Sequence, residues 1–194
     1  MQTDISGVIL AGGEGKRFGG EFKPEILIHG ESIISRMTGI LDKIFEEVII
    51  VTNTPGKFTA YRNYKIVSDI FKKTGPPGGL HAGMKASSKD AVFVFAGDMP
   101  FLNENLIIRQ IDAYRKNNCE AFIPQSGINI EPLHAIYKTS TIEKLEELLS
   151  EEKNYSLRDF ISRINTGFFS LPDSMEASKI FTNINSPSDL DDLE

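Results

Sequence analysis

Gly7-Val-Ile-Leu-Ala-Gly-Gly-Glu-Gly-Lys-Arg-Phe-Gly-Gly-Glu-Phe-Lys-Pro24 decides how the rest of the chain is read. Its apolar start breaks into five glycines, two lysines and an arginine, and it ends on a proline. Glycines set among basic residues suit a backbone that comes close to an anion, because they expose N–H groups that side chains would otherwise cover. A short buried strand running into such a loop is the opening of an α/β sheet.

Working outward, segments 5–10, 47–52, 65–68, 91–96 and 120–124 read as short buried strands. Val48-Ile-Ile-Val51 and Val92-Phe-Val-Phe95 are continuous apolar runs, as expected for a parallel sheet covered on both faces. Between them, residues 32–45 and 103–117 carry apolar side chains at three- and four-residue spacing, the second with a cap at Asn103. Further on, 132–138 and 167–171 read as strands, and 140–149 and 157–161 as helices. A last helix is expected over 187–193 after Ser186. Strands alternating with helices predict an open, mostly parallel sheet flanked by helices and joined by right-handed crossovers. No repeat or linker interrupts it, so residues 1–194 are expected to form one domain.

Composition narrows the function. Forty per cent hydrophobic and 25% charged residues are ordinary for a soluble globular protein. A net charge of −6 argues against a nucleic-acid-binding surface, yet leaves room for a local basic site for a small anion. The single cysteine, Cys119, excludes an intrachain disulfide and a cysteine metal cluster, and lacks a basic neighbour to activate it. With no apolar run near the roughly 20 residues of a membrane span and no basic signal-peptide start, a cytoplasmic location is expected.

In an open parallel sheet, the loops after the strand C-termini share one rim, where ligands bind. Leu10 is followed by the glycine loop, Thr52 by Asn53, Ser68 by Asp69, and Ala96 by Gly97-Asp98. Lys16, Arg17 and Lys23 can neutralise an anion there, although Glu14, Glu21 and Glu25 cancel the net field. The loop is not a Walker A motif, since Arg17 stands where Ser or Thr is required, nor a dinucleotide fingerprint, since Phe18 replaces the third glycine. Asp98, before Met99-Pro100, is either a helix cap or a Mg²⁺ ligand. Thr74-Gly-Pro-Pro-Gly-Gly-Leu-His-Ala-Gly83 is either a rigid turn with tight helix packing or a second set of amides for the ligand. His134, in an apolar strand, reads as a hydrogen-bonded core residue. Lys72 and Lys73 read as surface charge or as contacts to a cosubstrate phosphate.

Four motifs, in this order, carry a resemblance: Leu-Ala-Gly-Gly-x-Gly-x-Arg-x-Gly-Gly-x-x-Lys, Gly-Pro-Pro-Gly-Gly-Leu, Gly-Asp-Met-Pro and Asn-Ile-Asn-Ser-Pro, with Glu131-Pro-Leu-His-Ala-Ile-Tyr137 before the last. The chain resembles the molybdenum cofactor guanylyltransferases, and more broadly the nucleotidyltransferases that share their Rossmann-like fold. The resemblance spans Gly7 to Leu190. It implies that Leu10, Ala11, Gly12 and Gly13 hold the nucleotide, that Lys23 contacts its phosphates, and that Asn53 and Asp69 are further nucleotide-binding positions. It implies Asp98 and Asn185 as metal contacts, although Asn183-Ile-Asn-Ser-Pro187 also fits a turn and cap. Arg17 would face the leaving phosphates, making Arg17, Lys23 and Asp98 the catalytic set. Phe22 stands where the family usually has Asp.

The implied reaction is transfer of GMP from GTP to molybdopterin with Mg²⁺, or Mn²⁺ in its place, and release of pyrophosphate. Molybdoenzymes or their chaperones are conceivable partners. CTP, or a sugar or alcohol phosphate, would fit the same chemistry. A non-catalytic nucleotide-binding regulator would not need Asp98 and Asn185.

Overall fold

The computed structural model describes residues 4–12, 23–151, 155–171, 180–184 and 189. In chain order the elements are β1 (Ile5–Leu10), β2 (Leu27–Ile28), β3 (Glu31–Ser32), α1 (Ile33–Leu41), β4 (Val48–Val51) and β5 (Lys65–Val67). They continue with α2 (Pro76–Ala86), β6 (Ala91–Ala96), α3 (Glu104–Tyr114), β7 (Ala121–Ser126) and β8 (Asn129–Ile130). The last are β9 (His134–Lys138), α4 (Ile142–Ser150), α5 (Leu157–Ile161) and β10 (Thr166–Ser170).

An eight-stranded sheet in the order β10-β7-β9-β6-β1-β4-β5, with β8 on β7, forms the frame. β1 pairs in parallel with β4 and β6, β4 with β5, and β10 with β7, whereas β9 runs antiparallel between β6 and β7. The expected open, mostly parallel sheet flanked by helices is therefore found, with β9 reversed inside it and the two-residue β8 reversed against β7. Register settles where the strands end. Leu10 lies opposite both Val51 and Ala96, and Val51 lies opposite Val67. The four strands finish level, on one rim.

Alternation along the buried strands explains why helices cover both faces. Ile9, Ile50, Phe93 and Phe95 pack on one side with Ile34, Met37 and Leu41 of α1 and Ile107 and Ile111 of α3. Val8, Ile49, Val51, Val92 and Val94 pack on the other with residues of α2, α4 and α5, among them Leu80, Leu145 and Phe160. α2 comes unusually near β1: a Cβ on Gly83 would lie 2.6 Å from a Val8 methyl, and one on Gly79 would lie 3.2 Å from a Leu10 methyl. Residues 76–83 of the Thr74–Gly83 segment thus lie in α2, where Gly79 and Gly83 provide tight packing against β1.

Helix boundaries shift by cap chemistry. The Ser32 hydroxyl accepts from the Ser35 N–H at 3.3 Å, making Ser32 the cap of α1. The Asn103 side chain accepts from Leu106 N–H at 2.9 Å, as expected. α1 ends earlier than its apolar spacing predicts, because Lys43 and Ile44 close three-residue turns onto Ile40 and Leu41. The apolar pattern does not predict the β2–β3 hairpin or β8; each strand has two residues, too short for a periodic signal. The expected helix over 187–193 lies outside the described residues, save Asp189.

Candidate active site

The chain leaves β1 for β4 and β5 on one side, then returns to β6 on the other, so the strand order reverses between β1 and β6. Such a reversal opens a crevice at the carboxyl ends of the strands. Here the two flanking loops are joined. Gly97 N–H donates to the Leu10 carbonyl at 3.0 Å, and Ala11 N–H donates to the Val51 carbonyl at 2.9 Å. Position 97 tolerates no side chain: a Cβ would stand 2.8 Å from the Leu10 oxygen and 2.9 Å from the Ala11 Cα. Leu10 and Ala11 are thus locked beneath the rim, with Ala11 buried and Gly12 exposed.

Lys23 and Asp98 meet across this crevice. Lys23 opens the short 3-10 turn Lys23–Glu25, which is anchored by buried Pro24, and its Nζ donates to Asp98 Oδ2 at 3.2 Å. Their side chains are 20% and 24% exposed, so a ligand can reach both. Asp98 is further placed by its backbone, whose carbonyl accepts Ile184 N–H at 2.9 Å. Ile184 is buried and directly precedes Asn185 in sequence. Asn185, Arg17 and Gly13 themselves lie outside the described residues. Among the described residues, no group of three or more His, Cys, Asp or Glu could hold a metal ion. A lone carboxylate suits Mg²⁺, which keeps several waters and takes the rest of its shell from substrate phosphates. Asp98 fits that donor set.

A second polar group follows β4 and β5 on the same rim. Asn53 Nδ2 donates to Asp69 Oδ2 at 2.7 Å, while Lys72 Nζ donates to Asn53 Oδ1 at 2.9 Å. The lysine therefore fixes which way the Asn53 amide faces. Ser68 Oγ donates to the Thr52 carbonyl at 2.8 Å and ties the two loops together. The structure brings Lys23 to Asp98, and Asn53 to Asp69, as neighbouring strand ends predict.

Sequence reasoning places no chemistry where β9 begins. Because β9 is reversed, its first residue sits opposite Phe95, so residues 131–133 arrive at the same rim as Asp98. They help line a cleft of about 390 Å³ together with Pro76, Pro77, Met99, Arg158 and Asn183. Burial pushes the Glu131 carboxyl above the usual carboxylate range, and the charge on Arg158 partly opposes this. The signal that points there is a strand reversed after a β-turn; rules for parallel sheets point only to strand ends.

His134 corrects one expectation. It is fully buried, but among the described residues neither ring nitrogen has a hydrogen-bond partner. Instead the ring meets Phe93, Phe95 and Phe181 edge-on at 5.1, 5.2 and 5.2 Å. Burial pulls its pKa down to about 4, so it is a neutral core residue. Cys119 is buried and its thiol pKa is raised by desolvation, as an inert thiol requires.

Comparison with known proteins follows the same lines. The family model of the MobA-like NTP transferase domain matches residues 7–166. A probable molybdenum cofactor guanylyltransferase of Peptoclostridium acidaminophilum is 35% identical, over 95% of this chain and 86% of the relative. Another, from Methanocaldococcus jannaschii, is 32% identical over the full length of both. In fold, the crystal structure of molybdopterin-guanine dinucleotide biosynthesis protein A from Archaeoglobus fulgidus superposes with a TM-score of 0.82 at 24% identity, covering 97% of this chain and 96% of that one.

Proposed function

Because this chain belongs to the MobA-like NTP transferase family, we propose that it is a molybdenum cofactor guanylyltransferase, with residues 1–194 acting as one domain. It would transfer GMP from GTP to molybdopterin. The terminal phosphate of molybdopterin attacks the α-phosphorus of GTP in line, and the bond to the bridging oxygen breaks. Pyrophosphate leaves with the bonding electron pair. The observation that carries this reading is the crevice itself, where the loops after β1 and β6 are tied by Gly97 and bring Lys23 and Asp98 within 3.2 Å.

Little covalent chemistry is asked of the protein; positioning and charge neutralisation do most of it. Leu10, Ala11, Gly12 and Gly13 belong to the loop that holds the nucleotide, and Asn53 and Asp69 are further nucleotide-binding positions. Lys23 and Arg17 stabilise charge that grows on the departing pyrophosphate. Asp98 and Asn185 would hold Mg²⁺, or Mn²⁺, which when bound screens the phosphate charges and aligns them. Lys23 keeps Asp98 oriented before substrate arrives. No general base is required, since a phosphate monoester is already ionised at neutral pH.

Thermal shift with GTP, CTP, ATP and UTP, each with Mg²⁺ and with chelator, tests the reading. At 100 times its dissociation constant, GTP should add about 2.7 kcal/mol of stability. Stabilisation by GTP alone, lost on chelation, is the expected outcome. Preference for CTP would overturn the guanylyl assignment, and no response to any nucleotide would overturn the site.

A further inference from the structure

We propose that Glu131 is the residue that recognises the heterocycle of the acceptor, by accepting the paired N–H donors of a 2-amino-4-oxo-pteridine edge. The inference rests on the guanylyltransferase reading, and assigns a specificity contact within it.

Three observations carry it. Glu131 lines the cleft next to the crevice, and that cleft shares a wall with the chemistry: Met99 follows Asp98 in sequence, and Asn183 precedes Ile184, whose N–H holds the Asp98 carbonyl. A molecule lying in the cleft can therefore extend an arm toward Asp98. Second, the cleft of about 390 Å³ is of ligand size and mostly apolar, with Pro76, Pro77, Met99, Pro132 and Leu133 offering surfaces for a flat ring. Third, the Glu131 carboxylate is half-buried, and no side chain among the described residues hydrogen-bonds it. A carboxylate held out of water with its oxygens free is costly to the fold and usable by a ligand.

Its backbone is rigid, which suits recognition. Glu131 N–H donates to the Pro124 carbonyl at 3.0 Å, and its own carbonyl accepts His134 N–H at 3.1 Å. Tyr137, fully buried, donates its hydroxyl to the adjoining Pro132 carbonyl at 2.8 Å. The side chain thus leaves a turn that is fixed on both sides.

The chemistry then selects the ligand end. Two carboxylate oxygens match two parallel N–H donors, as N3–H and the 2-amino group of a pterin present them. Guanine presents the same pair, and it is the position of Glu131 beyond β6, opposite the Asn53–Asp69 pair after β4 and β5, that assigns it to the acceptor. The same charge repels a phosphate. An acceptor carrying both is therefore driven to enter ring first, leaving its phosphate at the mouth beside Lys23 and Asp98. Arg158, across the cleft, moderates the Glu131 charge without hydrogen-bonding to it.

Glu131→Gln removes one acceptor oxygen and the charge while keeping shape. Steady-state transfer to molybdopterin should show the acceptor KM raised roughly 10- to 100-fold, as loss of a charge-assisted bidentate contact implies, with the KM for GTP unchanged. Free pterin should compete with molybdopterin in the native protein. Lumazine, which has an oxo group in place of the 2-amino group, should compete far less well, and Glu131→Gln should narrow that difference. The melting midpoint of the variant should hold or rise, since a half-buried charge is lost; a structural role would lower it. An acceptor KM within twofold of native, with GTP binding and turnover intact, overturns this assignment and leaves the transferase reading standing. Absence of any GTP stabilisation in the native protein would bring down both.

Discussion

Folding should keep His134 neutral, at a cost that pH exposes. The ring is fully buried, both nitrogens lack a partner among the described residues, and three phenylalanine rings stand perpendicular to it. In the unfolded chain it titrates near its ordinary 6.5, and in the fold near about 4. Between those values the unfolded state binds more protons, so stability rises with pH and falls as pH is lowered through the window. From these two pKa values the loss is about 2 kcal/mol at pH 5, approaching about 3 kcal/mol by pH 4. Urea unfolding at pH 7.5, 6 and 5, for the native protein and His134→Leu, isolates it. Carboxylates titrate in both proteins, and their contribution cancels in the difference. The native protein should lose about 2 kcal/mol more than the variant between pH 7.5 and 5, with unchanged m-values. Parallel pH profiles would refute the reasoning, because they would mean that the ring reaches solvent or a partner when it is protonated.

Replacing Asp98 by Ala should bring GTP-dependent pyrophosphate release to background; near-native rates would remove it from the chemistry. Lys23→Ala should cost roughly two to three powers of ten in kcat/KM, typical of a lost charge-stabilising group, and activity within twofold would reject that role. Two glycines make a stability contrast. Gly97→Ala must push apart the loops that cross at Leu10, costing about 1–3 kcal/mol in denaturant unfolding and shrinking the GTP-induced shift. Gly39→Ala, in α1, meets nothing within 4 Å and should gain roughly 0.5–1 kcal/mol. Equal effects at the two positions would contradict the close approach of the loops at Gly97.

Much of this frame is legible in the amino-acid sequence. β1, β6 and α5 run over the residues that the sequence marks; β6 in particular is a continuous apolar run stopped by Gly97, which leaves few alternatives. The common rim of Leu10, Val51, Val67 and Ala96 also follows from the pattern, since parallel strands linked by helices must end on one side. The direction of β9 is not legible: a five-residue apolar strand looks the same in either sense, and only its neighbours decide. That one reversal hides Glu131, because parallel-sheet rules direct attention to residues after strands and this one stands before. His134 is legible as core, but its lack of a partner among the described residues is not, because the three phenylalanine rings come from β6 and from residue 181, far apart in sequence.

The bond from Ile184 N–H to the Asp98 carbonyl has a consequence for how the protein comes into being. Synthesis delivers the β1 loop first, the Asp98 loop midway, and the segment that fastens Asp98 only much later. Phe181, from that same late segment, also closes the ring of aromatics around His134. A nascent chain that has reached β9 holds most of its sheet, yet neither the fastening nor the closure exists. The centre of the fold is therefore completed by long-range contacts made last, a topology that favours slow final assembly.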